Sequence, residues 1–230
     1  MHPFPVAALP RRAALCGLLM LGACGPTRLA PLQGPPRGRA LLLRGLANMF
    51  STGLNVLTAE LRAVGFDARV HNHVEWRRLA AETEAEARAG TLPRPLALIG
   101  HSFGADEAIR LAGRLGAAGI AADLLITFDP VSVLDAPPGP RRVVNFHQAL
   151  DPFGRAMHPG PGFAGLLENR LVEGESHLSI EKSARLHLEV LALLEQTRPA
   201  PPASRPPPAS RPPLTPAALP RPPRPPVRAG

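Results

Sequence analysis

The stretch Leu96-Ala97-Leu98-Ile99-Gly100-His101-Ser102-Phe103-Gly104-Ala105 decides how this chain is read. Four apolar residues suit a buried strand. Gly100 to Gly104 then form the pattern G-x-S-x-G, and Ala105, Ala108, Ile109, Ala112 and Leu115 mark one face of a helix directly behind it. A serine on a sharp strand-to-helix turn has its hydroxyl lifted into solvent. Small residues are needed two before and two after it, because the backbones approach closely there. The helix N-terminus beneath it offers unpaired amides and the positive end of a dipole, which favour a developing oxyanion. Ser102 is therefore the candidate nucleophile. The competing reading is a glycine-bounded turn with a helix-capping serine.

Outward from this centre, strands and helices alternate. Ala40 to Leu43 reads as a strand closed by Gly45. Leu54, Leu57, Thr58, Leu61 and Val64 recur at helical spacing before Gly65. Phe66 to His71 is a strand candidate, and Val74 to Ala89 a helix closed by Gly90. Leu124 to Phe128 and Arg142 to His147 are further strands, Arg170 to Val172 a short sixth, and Ser179 to Leu194 the last helix. Such alternation predicts an α/β fold with a mostly parallel sheet covered by helices on both faces. Right-handed crossovers place any site at the carboxyl edge of the strands.

A serine hydroxyl is a poor nucleophile without a base, and on such a sheet the order expected is Ser, acid, His. His147, His158, His177 and His187 follow Ser102. His177 lies in a polar loop between the last strand and the last helix, where a base is needed. His187 falls mid-helix as a packing or surface residue, His147 at a strand end, and His158 in a Pro/Gly loop as the rival. For the acid there are two candidates. Asp129 ends the strand Leu124 to Phe128, so its position is well fixed; Asp151 lies beyond Arg142 to His147 and also suits an Asp-Pro turn. Asp129 is favoured. An oxyanion hole takes one amide from Phe103 and a second from the loop after the first strand, with Leu46 chosen and Ala47 the alternative.

GHSFGA, the strand ending FDPV, RRVVNFHQ and LENRLVEGESHLSIEKS resemble small bacterial α/β-hydrolase and thioesterase-domain proteins. The resemblance spans roughly Ala40 to Leu194 and implies a minimal α/β-hydrolase fold, without the first one or two strands of larger members and without a long lid insertion. It also implies Ser102, Asp129 and His177 as the triad, and Trp76 as a packing residue. The expected activity is hydrolysis of a carboxylic ester or thioester through an acyl-enzyme, on a small-molecule or lipid-like acyl substrate. The alternatives are a non-catalytic envelope-binding lipoprotein and an acyltransferase on the same scaffold. No cofactor is expected, and no metal, since no cluster has metal-ligand spacing; His71 and His73 read as a strand end.

The ends of the chain are of different material. Arg11 and Arg12, the apolar stretch Ala13 to Leu21 and Leu21-Gly22-Ala23-Cys24 resemble a bacterial lipoprotein signal, with residues 1–23 removed and Cys24 acylated. The apolar stretch is far below the roughly 20 residues a membrane span needs. Ordinary secretion with Cys24 left free is the other reading. The expected location is the cell envelope, lipid-anchored, at the outer membrane and facing the periplasm, because Gly25 rather than Asp follows the cysteine. Residues 24–37 read as a linker, 38–196 as the folded domain, and 197–230 as a disordered tail with the near-repeat PPASRPPPASRPP. The formal net charge of +8 does not imply a nucleic-acid partner. Arg198, Arg205, Arg211, Arg221, Arg224 and Arg228 lie in the tail, and no basic stripe interleaves with aromatics.

Overall fold

The structure is a computed structural model and describes residues 29, 31–46, 51–149 and 152–197. The signal segment with Cys24, the alternatives Ala47 and Asp151, and the tail beyond Thr197 lie outside the described residues.

Six strands form one sheet: β1 (Arg39–Arg44), β2 (Asp67–Asn72), β3 (Leu96–His101), β4 (Leu124–Phe128), β6 (Arg142–His147) and β8 (Leu166–Leu171). Their order is β2-β1-β3-β4-β6-β8, and all five ladders are parallel. Two-residue strands β5 (Asp135–Ala136) and β7 (His158–Pro159) pair separately. Among the described residues, four α-helices complete the layers: α1 (Gly53–Ala63), α2 (Trp76–Arg88), α3 (Phe103–Ala117) and α4 (Ala184–Gln196).

The alternation of side chains along each strand divides the core in two. Ala40 and Leu42 of β1, Ala97 and Ile99 of β3, and Leu124 and Ile126 of β4 face Leu54, Leu57 and Leu61 of α1 and Leu186, Val190 and Leu193 of α4. Leu41, Leu43, Leu96, Leu98 and Leu125 face the opposite way, onto Leu79 and Ala80 of α2 and Ile109, Ala112 and Leu115 of α3. Strands covered on both sides bury successive side chains alike, which is why Ala40 to Leu43, Leu96 to Ile99 and Leu124 to Ile126 read as unbroken hydrophobic runs. Trp76 packs against the second layer.

Three expectations need adjustment. The sixth strand runs over Leu166–Leu171, not Arg170 to Val172. It is an edge strand with Leu166 and Leu171 exposed, so it lacks the buried run that marks the inner strands. The second helix opens with a 3₁₀ turn, His73–Glu75, capped by Asn72 and Glu75 reciprocally. The last helix likewise breaks after the 3₁₀ turn Ile180–Lys182, because Ser183 is extended at ψ 112°, and α4 starts at Ala184.

At the N-terminus of α1, Thr52 makes no capping bond. The buried Glu181 takes that place: its Oε2 accepts from the Leu54 amide at 3.1 Å. Burial pushes the Glu181 carboxyl above the usual carboxylate range. The segment leading out of the His177 loop is thereby tied to the first helix.

Candidate active site

Ser102 stands between β3 and α3 with φ 58° and ψ −129°. A non-glycine residue pays for such a backbone in strain and needs its surroundings to hold it. Gly100 and Gly104 are what make the turn possible. A Cβ on Gly100 would collide with the Gly104 carbonyl, and one on Gly104 with the Leu43 carbonyl of β1. The Ser102 amide donates to the Phe128 carbonyl at 3.0 Å. Ser102 makes no side-chain capping bond to α3, so the helix-cap reading of this serine does not hold.

Its hydroxyl faces a histidine instead. Ser102 Oγ lies 3.0 Å from His177 Nε2, and His177 Nδ1 lies 3.3 Å from Asp129 Oδ2. The carboxylate accepts from Nδ1–H, which leaves Nε2 as the acceptor for the serine proton. Asp129 is fully buried, while the His177 side chain keeps 15% exposure. Asp129 follows β4 directly, and its φ of 46° turns the chain out of the sheet. Its amide donates to the Phe146 carbonyl and its Oδ1 accepts from the Gln148 amide, both at 2.9 Å. With Oδ1 held in this way, Oδ2 is left for the imidazole. Three residues from separate sheet connections thus converge at the carboxyl edge.

The other histidines are elsewhere. His158 is exposed in β7, with its amide bonded to the Leu134 carbonyl. His187 is buried, bonded through Nδ1 to Glu60 and through Nε2 to the Glu181 carbonyl, which is a packing role. His147 Nδ1 lies 3.3 Å from the carbonyl of Gln148.

Two loops frame the site, and sequence reasoning missed what holds them. Asp106, buried in the first turn of α3, accepts from the amides of Val131, Ser132 and Val133 and from the Ser132 hydroxyl. This fixes the chain just after Asp129. Across the strands β4, β6 and β8, Thr127 Oγ1 donates to Asn145 Oδ1 at 2.9 Å, and Asn145 Nδ2 donates to Asn169 Oδ1 at 3.0 Å. Asn145 also donates to the Arg155 carbonyl, and Asn169 exchanges two bonds with the backbone of Met157. That ladder anchors the segment bearing Phe153, whose ring stacks on His177 with centroids 4.0 Å apart. A short polar side chain inside an otherwise apolar strand, such as Asn145, was the available signal.

Leu46, Phe103, Phe153 and Leu178 wall a small cavity of about 180 Å³ over Ser102 and His177. Leu46 and Leu178 are more than half exposed at its rim. Phe103 opens α3, so its amide is among those that have no carbonyl within their own helix. A larger cleft of about 750 Å³ lies between residues 29–37 and α1. It contains none of the three aligned side chains, and geometry rather than size locates the chemistry.

No family model matches the sequence, and no curated protein matches it. Among solved structures, the chain is similar to the esterase PE8 with a TM-score of 0.50 at 17% identity, over 74% of this chain and 96% of that one. An arylesterase gives a TM-score of 0.50 at 12% identity, over 74% of this chain and 79% of the other. The RedJ thioesterase of the prodiginine biosynthetic pathway in Streptomyces coelicolor gives 0.49 at 14% identity, over 73% and 96%. The two likenesses at 0.50 extend to the fold, which is the α/β-hydrolase fold, here with a six-stranded parallel sheet.

Proposed function

We propose that the chain is a serine hydrolase that cleaves a carboxylic ester or thioester with a short, uncharged acyl group. The observation that carries this is the unbroken alignment Ser102 Oγ, His177 Nε2, His177 Nδ1, Asp129 Oδ2, at 3.0 and 3.3 Å. His177 takes the serine proton as Oγ attacks the acyl carbon. The resulting imidazolium is stabilised by buried Asp129. Amides of Phe103 and Leu46 are the donors assigned to the oxyanion. His177 then protonates the leaving alcohol or thiol, the acyl-Ser102 ester forms, and water activated by the same imidazole releases the acid.

The cavity sets the acyl group. Its walls are mostly apolar, and among the described residues no lysine or arginine lines it. A volume of about 180 Å³ holds about six groups of water size, at about 30 Å³ each. The solved structures similar in fold include an esterase and an arylesterase, which supports a hydrolase in general.

The location belongs to the same proposal. Lipidation of Cys24 would hold the hydrolase domain to the bacterial cell envelope, at the outer membrane and facing the periplasm, with residues 25–37 as spacer. The support is the sequence Leu21-Gly22-Ala23-Cys24; among the described residues no helix is long and apolar enough to cross a membrane. Mass spectrometry of the mature N-terminal peptide tests it, and an unmodified Cys24 overturns it.

For the activity, a fluorophosphonate probe followed by peptide mapping should label Ser102. Ser102→Ala should abolish labelling and lower p-nitrophenyl ester hydrolysis by about 10⁶-fold, with the far-ultraviolet circular dichroism unchanged. Full activity in that variant would end the proposal.

A further inference from the structure

We propose that His101 and Ser51 are positioning residues: a buried hydrogen-bond chain through their side chains locks the loop after β1 and the loop carrying His177 to the Ser102 turn. The inference rests on the serine-hydrolase reading above.

The chain has three links. The Gly45 amide donates to Ser51 Oγ at 2.9 Å. Ser51 Oγ lies 2.8 Å from His101 Nδ1, and His101 Nε2 lies 2.8 Å from the His177 carbonyl oxygen. The proton positions follow from the partners. A carbonyl only accepts, so His101 carries its proton on Nε2; Nδ1 is then an acceptor, and the Ser51 hydroxyl donates to it. The hydroxyl still has a lone pair for Gly45 N–H. Each polar atom in the chain is satisfied in one direction, and both side chains are buried, at 0% and 1% exposure.

What the chain joins is the reason for assigning it a role. Gly45 precedes Leu46, the assigned second oxyanion donor. A Cβ on Gly45 would come within 3.0 Å of Ser102 Cβ and 3.2 Å of the His101 carbonyl, so this loop rests on the nucleophile turn. At the other end, the carbonyl that His101 holds belongs to the general base itself. His101 sits on β3 beside Ser102, so one imidazole spans from the oxyanion side to the base. Its ring centroid is 4.9 Å from that of His177. A cation there would oppose the imidazolium that forms on His177 in each turnover. Burial holds His101 at a pKa of about 3, and it stays neutral while His177 cycles.

Misplacing reacting groups by about 1 Å costs about 100-fold in rate, which sets the scale of the test. On p-nitrophenyl butyrate, Ser51→Ala should lower kcat by about 10- to 100-fold with KM within about twofold and the melting temperature little changed. His101→Leu should lower kcat and spare KM in the same way, with some loss of melting temperature because two buried partners are left unpaired. His101→Gln, whose amide offers a donor nitrogen and an acceptor oxygen to the same partners, should recover much of the loss. The Ser51→Ala/His101→Leu double variant should be no slower than His101→Leu alone, because both cut one chain. A second measurement needs no variant: ¹⁵N NMR of the full chain should show His101 as the Nε2–H tautomer, neutral from pH 5 to 8. Unchanged kcat in Ser51→Ala and His101→Leu, additive losses, or a His101 that titrates near 6.5 overturns the proposal. A wild-type chain that neither hydrolyses esters nor takes up fluorophosphonate at Ser102 refutes the serine-hydrolase reading itself, a result distinct from these.

Discussion

Asp129 meets His177 from the end of β4, with Oδ2 3.3 Å from Nδ1 and Oδ1 occupied by the Gln148 amide. The acid is therefore held at the end of β4, the sheet neighbour of β6, and its second oxygen is fixed by the first residue after β6. A carboxylate in this position sets the imidazole tautomer and stabilises its cation. Asp129→Asn keeps the shape but presents an amide, which favours the wrong tautomer. kcat for ester hydrolysis should fall by about 10⁴-fold, whereas Asp151→Asn should stay within a few-fold of wild type. Steady-state kinetics of the two variants decides it, and the reverse ranking would move the acid to Asp151.

The fold was legible where a strand is buried on both faces. Leu124–Phe128 and Arg142–His147 match the expected strands residue for residue, because two-sided burial leaves mostly apolar, β-branched or aromatic stretches between turn residues. The edge strand β8 was not, since half its side chains face water and LLENRL has no such run. Ser102 and Asp129 could be proposed because each follows a strand that the alternation itself locates, and His177 because it lies in the polar loop ahead of the last helix. Ser51, His101 and Asp106 could not be assigned their roles. His101 occupies the free position of G-x-S-x-G, and its partners are 50 and 76 residues away in sequence. Asp106 reads locally as an acid in the first turn of a helix, while its bonds reach a loop 25 residues on. Contacts of that separation leave no periodic trace.

Cavity size predicts an acyl-chain limit. With about 180 Å³ walled by Leu46, Phe103, Phe153 and Leu178, kcat/KM should peak for p-nitrophenyl esters of about four to six carbons and fall for decanoate and longer chains, each methylene beyond the wall losing its burial of about 0.8 kcal/mol. Leu178→Ala should move the optimum to longer chains. A rate that climbs steadily to long-chain esters would show that the acyl group does not lie in this cavity.

Glu181 separates two effects of a buried carboxyl. It accepts from the Leu54 amide at the start of α1, and Glu181→Ala should lose that cap, about 1 kcal/mol, together with packing. Burial raises its pKa, so the folded state disfavours the ionised form. A raised carboxyl pKa means stability is fullest below the unfolded value and declines as pH rises through the folded one. Glu181→Gln retains an acceptor without the charge. It should match or exceed wild type in urea midpoint at pH 8, with the difference shrinking towards pH 4. A Gln variant less stable than wild type at pH 8 would show that the charge at the helix N-terminus outweighs its burial.

His101 acts on stability at the opposite end of the pH scale. Its folded pKa is lowered from 6.5 to about 3 by burial. Above pH 6.5 the ring is neutral in folded and unfolded chains and contributes nothing to pH dependence. Below 6.5 the unfolded chain takes up the proton first, so folding loses free energy as pH falls, until the loss levels off near 3. At pH 4.5 the loss is about 3 kcal/mol, a sizeable part of a domain's usual stability. Other groups titrate in this range too, so the comparison is with His101→Gln, which removes this ring and leaves them in place. Urea unfolding of the two proteins at pH 7.5, 6, 5 and 4.5 should show wild type the more stable at pH 7.5 and its advantage falling steadily with acid. If the two curves stay parallel across this range, the buried ring is not the acid-sensitive element of the site.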